Sequence, residues 1–130
     1  MPTSICQDEN ERVEHRDRVF TALSAEPRRQ VLISLLNASP EEFVELPGAA
    51  TSPALDCELR ELRSRLIHRH LPVLEDYEFV RWEMDPFLVR RGPKFEQVGD
   101  VIAVLLDQPE TVSVQFVTGY GQLDRDLRTE

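Results

Sequence analysis

Between Arg63 and Val73 the chain carries three arginines, two histidines and a serine, and no acidic residue. Elsewhere it is acidic, with 24 Asp and Glu against 15 Lys and Arg, a net charge of −9. Residues 60–94 hold eight basic groups (Arg60, Arg63, Arg65, Arg69, Arg81, Arg90, Arg91, Lys94) and six acids, so this stretch is +2 and the remainder −11. At about 100° per residue, Ser64, Arg65 and His68 point to one side of a helix, with Arg69 on its flank. A guanidinium in that position pairs bidentately with guanine O6/N7 or with phosphate, and serine and histidine suit phosphate or base-edge contacts. The candidate contact residues are therefore Arg63, Ser64, Arg65, His68 and Arg69, and the chemistry is recognition of double-stranded DNA. Arg81, Arg90, Arg91 and Lys94 would hold phosphates beside them. Lys94 is expected in the first turn of a closing helix, where free N–H groups also suit phosphate. The alternative for such a helix face is a plain solvated surface.

The elements that must position these residues follow from periodicity. Residues 1–10 are polar and are expected to fray. Val13, Val19, Phe20 and Leu23 space a first helix over 11–23. Ser24-Ala25-Glu26-Pro27 reads as the capped start of a second, with Val31, Leu32, Leu35 and Leu36 on one face and Asn37 at its end. Residues 38–54 contain Pro40, Pro47, Gly48 and Pro53, a loop with one turn of helix. The longest helical pattern runs over about 55–77. It gathers Leu55, Leu59, Leu62, Leu66, His70, Val73 and Leu74 on one side and turns Leu71 away with the polar residues. Pro72 frees a carbonyl near His68, so a kink or restart is expected there. His70, on the apolar stripe, reads as a buried, hydrogen-bonded histidine rather than a ligand.

After Glu78 the period changes to two. Phe79–Met84 and Phe87–Arg91 flank Asp85-Pro86 and read as a β-hairpin, with Trp82 packed in it or at an interface. Pro93 opens a last helix whose apolar face is Phe95, Val98, Val101, Ile102, Leu105 and Leu106. Residues 111–117 alternate weakly and suit a strand. The expected fold class is mainly α with a small β-hairpin, in the order α-α-α-β-β-α of a winged helix-turn-helix. Such a domain places its third helix in a DNA major groove and its hairpin on the neighbouring backbone. The expected organisation is a flexible 1–10, a domain over 11–108, and a partly flexible extension over 109–130.

Composition narrows the setting. Apolar residues make up 41%, enough for one core, and no run approaches the roughly 18–20 apolar residues of a membrane span. No basic stretch followed by an apolar one opens the chain, so a cytoplasmic protein without a secretory signal is expected. Only Lys94 among the 15 basic residues is a lysine. Acid enrichment with lysine nearly removed fits a haloarchaeal cytoplasm at molar salt; a GC-rich genome also replaces Lys by Arg but does not add acids. Cys6 and Cys57 have no metal-ligand spacing, and His68 and His70 point to different sides of a helix, so no metal site is signalled. There is no phosphate-binding glycine loop, nucleophile elbow or HExxH, and no carboxylate pair stands out, so neither catalysis nor a cofactor is expected.

Two segments carry a family resemblance. Ala22-Leu23-Ser24-Ala25-Glu26-Pro27-Arg28-Arg29-Gln30-Val31-Leu32 resembles the opening of ArsR-type winged-helix repressors. His70-Leu71-Pro72-Val73-Leu74-Glu75-Asp76-Tyr77-Glu78-Phe79-Val80 resembles the end of their recognition helix and the start of the wing. The His-Leu-Pro form, with Arg90-Arg91-Gly92-Pro93-Lys94-Phe95, is similar to small haloarchaeal ArsR-like domains; the likeness covers roughly residues 18–106. It implies a sequence-specific transcriptional regulator that dimerises through its first and last helices. The chain departs from the pattern in three places. Tyr77-Glu78 stands where Ala-Gly is usual, the cysteine-rich motif of metal-sensing members is missing, and the Met84-Asp85-Pro86 tip is short and acidic. The short acidic tip favours a second reading, a winged helix used for protein–protein contact in the transcription machinery.

Overall fold

The computed structural model describes the backbone of residues 2–51 and 58–107, and the side chains of 9–51 and 58–107. Within these the protein is mainly helical, with a small antiparallel sheet of three strands. The expected strand over 111–117 and the expected core residue Leu55 lie outside the described residues.

Helix α1 (Pro2–Leu23) begins well ahead of the expected Glu11, so helical backbone replaces the frayed start. Among its described side chains it is the last turns that reach the core, through Val19 and Ala22. Helix α2 (Glu26–Asn37) takes Pro27 in its first turn, where a missing N–H leaves no bond unmade. Its N-cap is Ala25, not Ser24 as expected, and no side chain caps it. The Ser24 hydroxyl is already engaged, donating to Thr21 O at 2.7 Å and accepting from Arg28 Nη2 at 2.7 Å. Val31, Leu32 and Leu35 present the apolar face and are completely buried.

The loop after α2 contains the expected single helical turn, a 3-10 turn over Gly48–Ala50. It also contains a strand that periodicity did not signal, β1 (Val44–Glu45), which pairs with the hairpin. Two residues are too few for an alternating pattern; pairing with β3 makes this strand.

The long helical pattern becomes one rod in three parts: α3 (Leu59–Arg65), a π turn (Leu66–His70) and α4 (Leu71–Asp76). Pro72 accounts for the middle part. It has no N–H for the carbonyl four residues back, and the rod answers by widening one turn rather than by breaking. Leu71 N–H donates to Leu66 O, so Leu71 stacks over Leu66 instead of lying beyond it. That phase change corrects one expectation: Leu71, assigned to the polar side by a constant period, has 0% exposure. Leu59, expected on the core stripe, is 60% exposed at the other end of the rod.

The rod ends without glycine. Glu78 adopts a left-handed φ of 64°. Glu78 N–H donates to Glu75 O at 2.9 Å and Phe79 N–H to Leu74 O at 3.0 Å, the two bonds of a Schellman ending, with Phe79 and Leu74 both buried. Strands β2 (Val80–Met84) and β3 (Phe87–Arg91) follow, joined by Asp85-Pro86 as expected. Strand β3 lies in the middle of the sheet, with β1 and β2 at its sides. Gly92 passes so close to the chain at Glu78 that a Cβ there would lie 2.5 Å from Glu78 O. Helix α5 (Phe95–Asp107) starts two residues after Pro93 and packs Phe95, Val98 and Ile102 against the core. No described helix is long and apolar enough to cross a membrane.

Candidate nucleic-acid interface

The rod carries two opposed faces. Leu62 and Leu66 are buried on one, and Ser64, Arg65, His68 and Arg69 are exposed on the other. His70 anchors the buried face. It is 5% exposed, and Arg28 Nη1 donates to its Nδ1 at 2.9 Å, which leaves the ring neutral with its proton on Nε2. Burial, reinforced by the charges of Arg28, Arg69 and Arg65, lowers the His70 pKa from 6.5 to about 4. Arg28 is itself buried, and burial together with the Arg69 charge lowers its pKa too. Its other donors reach Thr21 O at 2.9 Å and the Ser24 hydroxyl. One guanidinium thus ties the end of α1, the start of α2 and the π turn together, and so fixes how the outer face of the rod is presented.

The outer side chains differ in freedom. Among the described residues Arg69, His68 and Ser64 have no hydrogen-bond or ion-pair partner. Arg65 Nη2 pairs with Glu61 at 2.5 Å, both more than half exposed, an i,i+4 bridge that solvent weakens. The Arg63 guanidinium lies 4.5 Å over the Phe87 ring, linking the rod to the first residue of β3. Arg60 was not assigned a role from the sequence, yet it is exposed, without a partner among the described residues, and one helical turn before Ser64. The spacing of Arg60, Ser64 and His68 is the signal that would have identified it.

The hairpin splits its expected set. Arg81 is exposed, and Arg90 lies 5.3 Å from the Phe43 ring. Arg91 is not a phosphate ligand. Its guanidinium donates to Leu35 O at 3.0 Å, Leu36 O at 3.3 Å and Ala38 O at 3.1 Å, and stacks on Phe95. It closes the C-terminus of α2, whose last carbonyls have no helical donors. Lys94 is corrected as well. It precedes α5 rather than standing in its first turn, pairs with Glu78 at 3.2 Å, and lines a cleft against Arg12, His15 and Arg18 of α1. The structure therefore gathers Ser64, Arg65, His68 and Arg69 on one face, sets Arg63 where it meets the hairpin, places Arg81 and Arg90 on the hairpin, turns Arg91 into the fold, and pairs Lys94 with Glu78 at the start of α5.

Trp82 packs edge-on to Phe87 at 6.2 Å, and its Nε1–H is buried without a partner. Among the described residues no three His, Cys, Asp or Glu side chains come together as a metal set. No family model, curated protein or solved structure matches the chain.

Proposed function

We propose that this chain is a winged-helix DNA-binding protein, a homodimeric transcriptional regulator of a haloarchaeal cytoplasm. The rod 59–76 is the recognition helix and the hairpin the wing. The observation that carries this reading is the exposed outer face of Ser64, Arg65, His68 and Arg69, bordered by Glu61 at its start and presented by a rod whose inner face is pinned through His70 and Arg28. In a chain of net charge −9, that localisation is what a polyanion would require. Arg63, Arg81 and Arg90 supply phosphate contacts. Val13 and Phe20 are exposed seven residues apart on α1, and Val104 is exposed on α5, apolar surface suited to pairing two copies through these helices.

A second reading has its own support. Arg65 and Lys94 are engaged by Glu61 and Glu78, and Glu83 and Asp85 flank the hairpin turn. These features suit a module that docks on protein. Fluorescence anisotropy separates the two, with the duplex upstream of the protein's own coding sequence, a scrambled duplex, and KCl from low to molar. The DNA reading expects preference for the upstream duplex that survives high salt. Equal binding that vanishes with salt denies specific recognition, and no binding at any salt turns the assignment to the protein module. Phosphate contacts alone lose affinity steeply with salt, so survival requires base contacts.

A further inference from the structure

The outer face of the rod carries an ion pair where a polyanion would be expected to meet free cations. Glu61 is the sole acid between Arg60 and Val73. It stands one helical turn before Arg65 and accepts from Arg65 Nη2 at 2.5 Å, with both side chains more than half exposed. Arg60 and Arg69, exposed on either side of this pair, have no ion pair or hydrogen bond among the described residues. A carboxylate beside Arg65 repels phosphate, so an arginine serving the DNA backbone gains nothing from such a neighbour. Arg65 is thereby set apart from the other arginines of the face.

The pair keeps unused groups. Arg65 donates to Glu61 through Nη2, and its Nε and Nη1 have no partner among the described residues. Glu61 accepts on Oε1, and its Oε2 is free among the described residues. Two donors and an acceptor are therefore offered side by side, in an orientation that the bridge itself holds. A G·C pair presents guanine N7 and O6 to the major groove as acceptors, with the cytosine N4 amino group beside them as donor. An A·T pair instead places its donor between two acceptors. Two donors followed by an acceptor match the first pattern and clash with the second.

We propose that Glu61 and Arg65 read one G·C base pair as a unit: Arg65 donates to guanine N7 and O6 while Glu61 accepts from cytosine N4. The bridge orients Arg65 before DNA arrives, so less side-chain freedom is lost on binding. Glu61 in turn imposes repulsion on any duplex that offers no amino group there. Such a reader presupposes the DNA binding proposed above and adds the base pair that the face selects. Glu61 also stands in the first turn of α3, where a carboxylate suits the helix dipole. That role concerns the fold alone and leaves base preference untouched.

The experiment selects duplexes from a random pool with the full chain at molar KCl. Anisotropy then compares wild type and Glu61→Ala on the selected duplex and a scrambled one, with circular dichroism confirming equal folding. At each G·C pair of the selected duplex in turn, N4-methylcytosine replaces cytosine; the methyl takes the place of the amino hydrogen facing the groove and keeps the base pair. At one such pair wild type should lose about tenfold in affinity, and Glu61→Ala should lose little. Glu61→Ala should also bind the scrambled duplex more tightly than wild type and discriminate less between the two. A bystander acid would change affinity for both duplexes by one factor and leave the methyl scan alike in the two proteins. That result overturns the paired reader while DNA recognition stands. If wild type enriches no sequence from the pool, DNA recognition itself falls and the paired reader with it.

Discussion

Acidification should unfold this protein through one buried ring. His70 is neutral in the fold, with Nδ1 accepting from Arg28 at 2.9 Å. A proton on Nδ1 would set a donor against a donor and a cation against a guanidinium that is itself buried. The ring titrates near 4 in the fold and near 6.5 in the unfolded chain. Between those values the unfolded chain binds a proton that the fold refuses. The stability linked to His70 is therefore complete above pH 6.5 and is lost as pH falls through 6.5 towards 4. At roughly 1.4 kcal/mol per pH unit the loss is about 3 kcal/mol, a large part of a small domain's stability. Urea unfolding followed by circular dichroism, at fixed KCl and at pH 7 and pH 4, measures it. His70→Gln is the reference: its side-chain oxygen can accept from Arg28 and does not titrate. The stability of wild type relative to His70→Gln should fall by about 3 kcal/mol over this range, whatever the carboxylates contribute to both. Parallel loss in the two proteins would refute the buried neutral histidine.

Three substitutions probe the connections that hold the site. Glu78→Gly should raise stability by about 1 kcal/mol in urea unfolding, because it removes a side chain from a left-handed residue and gives up only an exposed bridge to Lys94. Gly92→Ala should lower it by about 1–3 kcal/mol, since the new Cβ meets backbone atoms, Glu78 O at 2.5 Å and Val80 N at 2.8 Å, that have no rotamer to escape into. Arg91→Met should cost about 2 kcal/mol by stranding the carbonyls of Leu35, Leu36 and Ala38, while DNA affinity per folded molecule, read by anisotropy, stays unchanged.

The legible and illegible parts of the structure separate on physical grounds. Helix α2, helix α5 and the hairpin announce themselves because burial on one face imposes a period, and Asp85-Pro86 breaks the second period from the first. His70 could be placed as buried and bonded because a polar ring on an apolar stripe must find a partner. Which partner it finds, Arg28, lies 42 residues away and was not legible. The π turn was not legible, since a fixed 100° step has no place for the wider turn that Pro72 brings, and Leu71 was misassigned for that reason. Strand β1 and the role of Arg91 depend on contacts remote in sequence. Arg91 reaches Leu35 O across 56 residues, and counting charge does not reveal which guanidinium is spent inside the fold. Of the phosphate set, Arg91 is bonded inside the fold and Lys94 is paired with Glu78; Ser64, Arg65, His68 and Arg69 share one exposed face, as their helical phase predicts.

The account depends most on that face. The deciding measurement is anisotropy of Arg65→Ala/Arg69→Ala against wild type on the upstream and scrambled duplexes, with circular dichroism confirming equal folding. Both side chains are exposed, so the domain should remain folded. The account predicts that the variant loses the preference for the upstream duplex and most of the salt-resistant affinity. A folded variant that binds the upstream duplex as wild type does would contradict it.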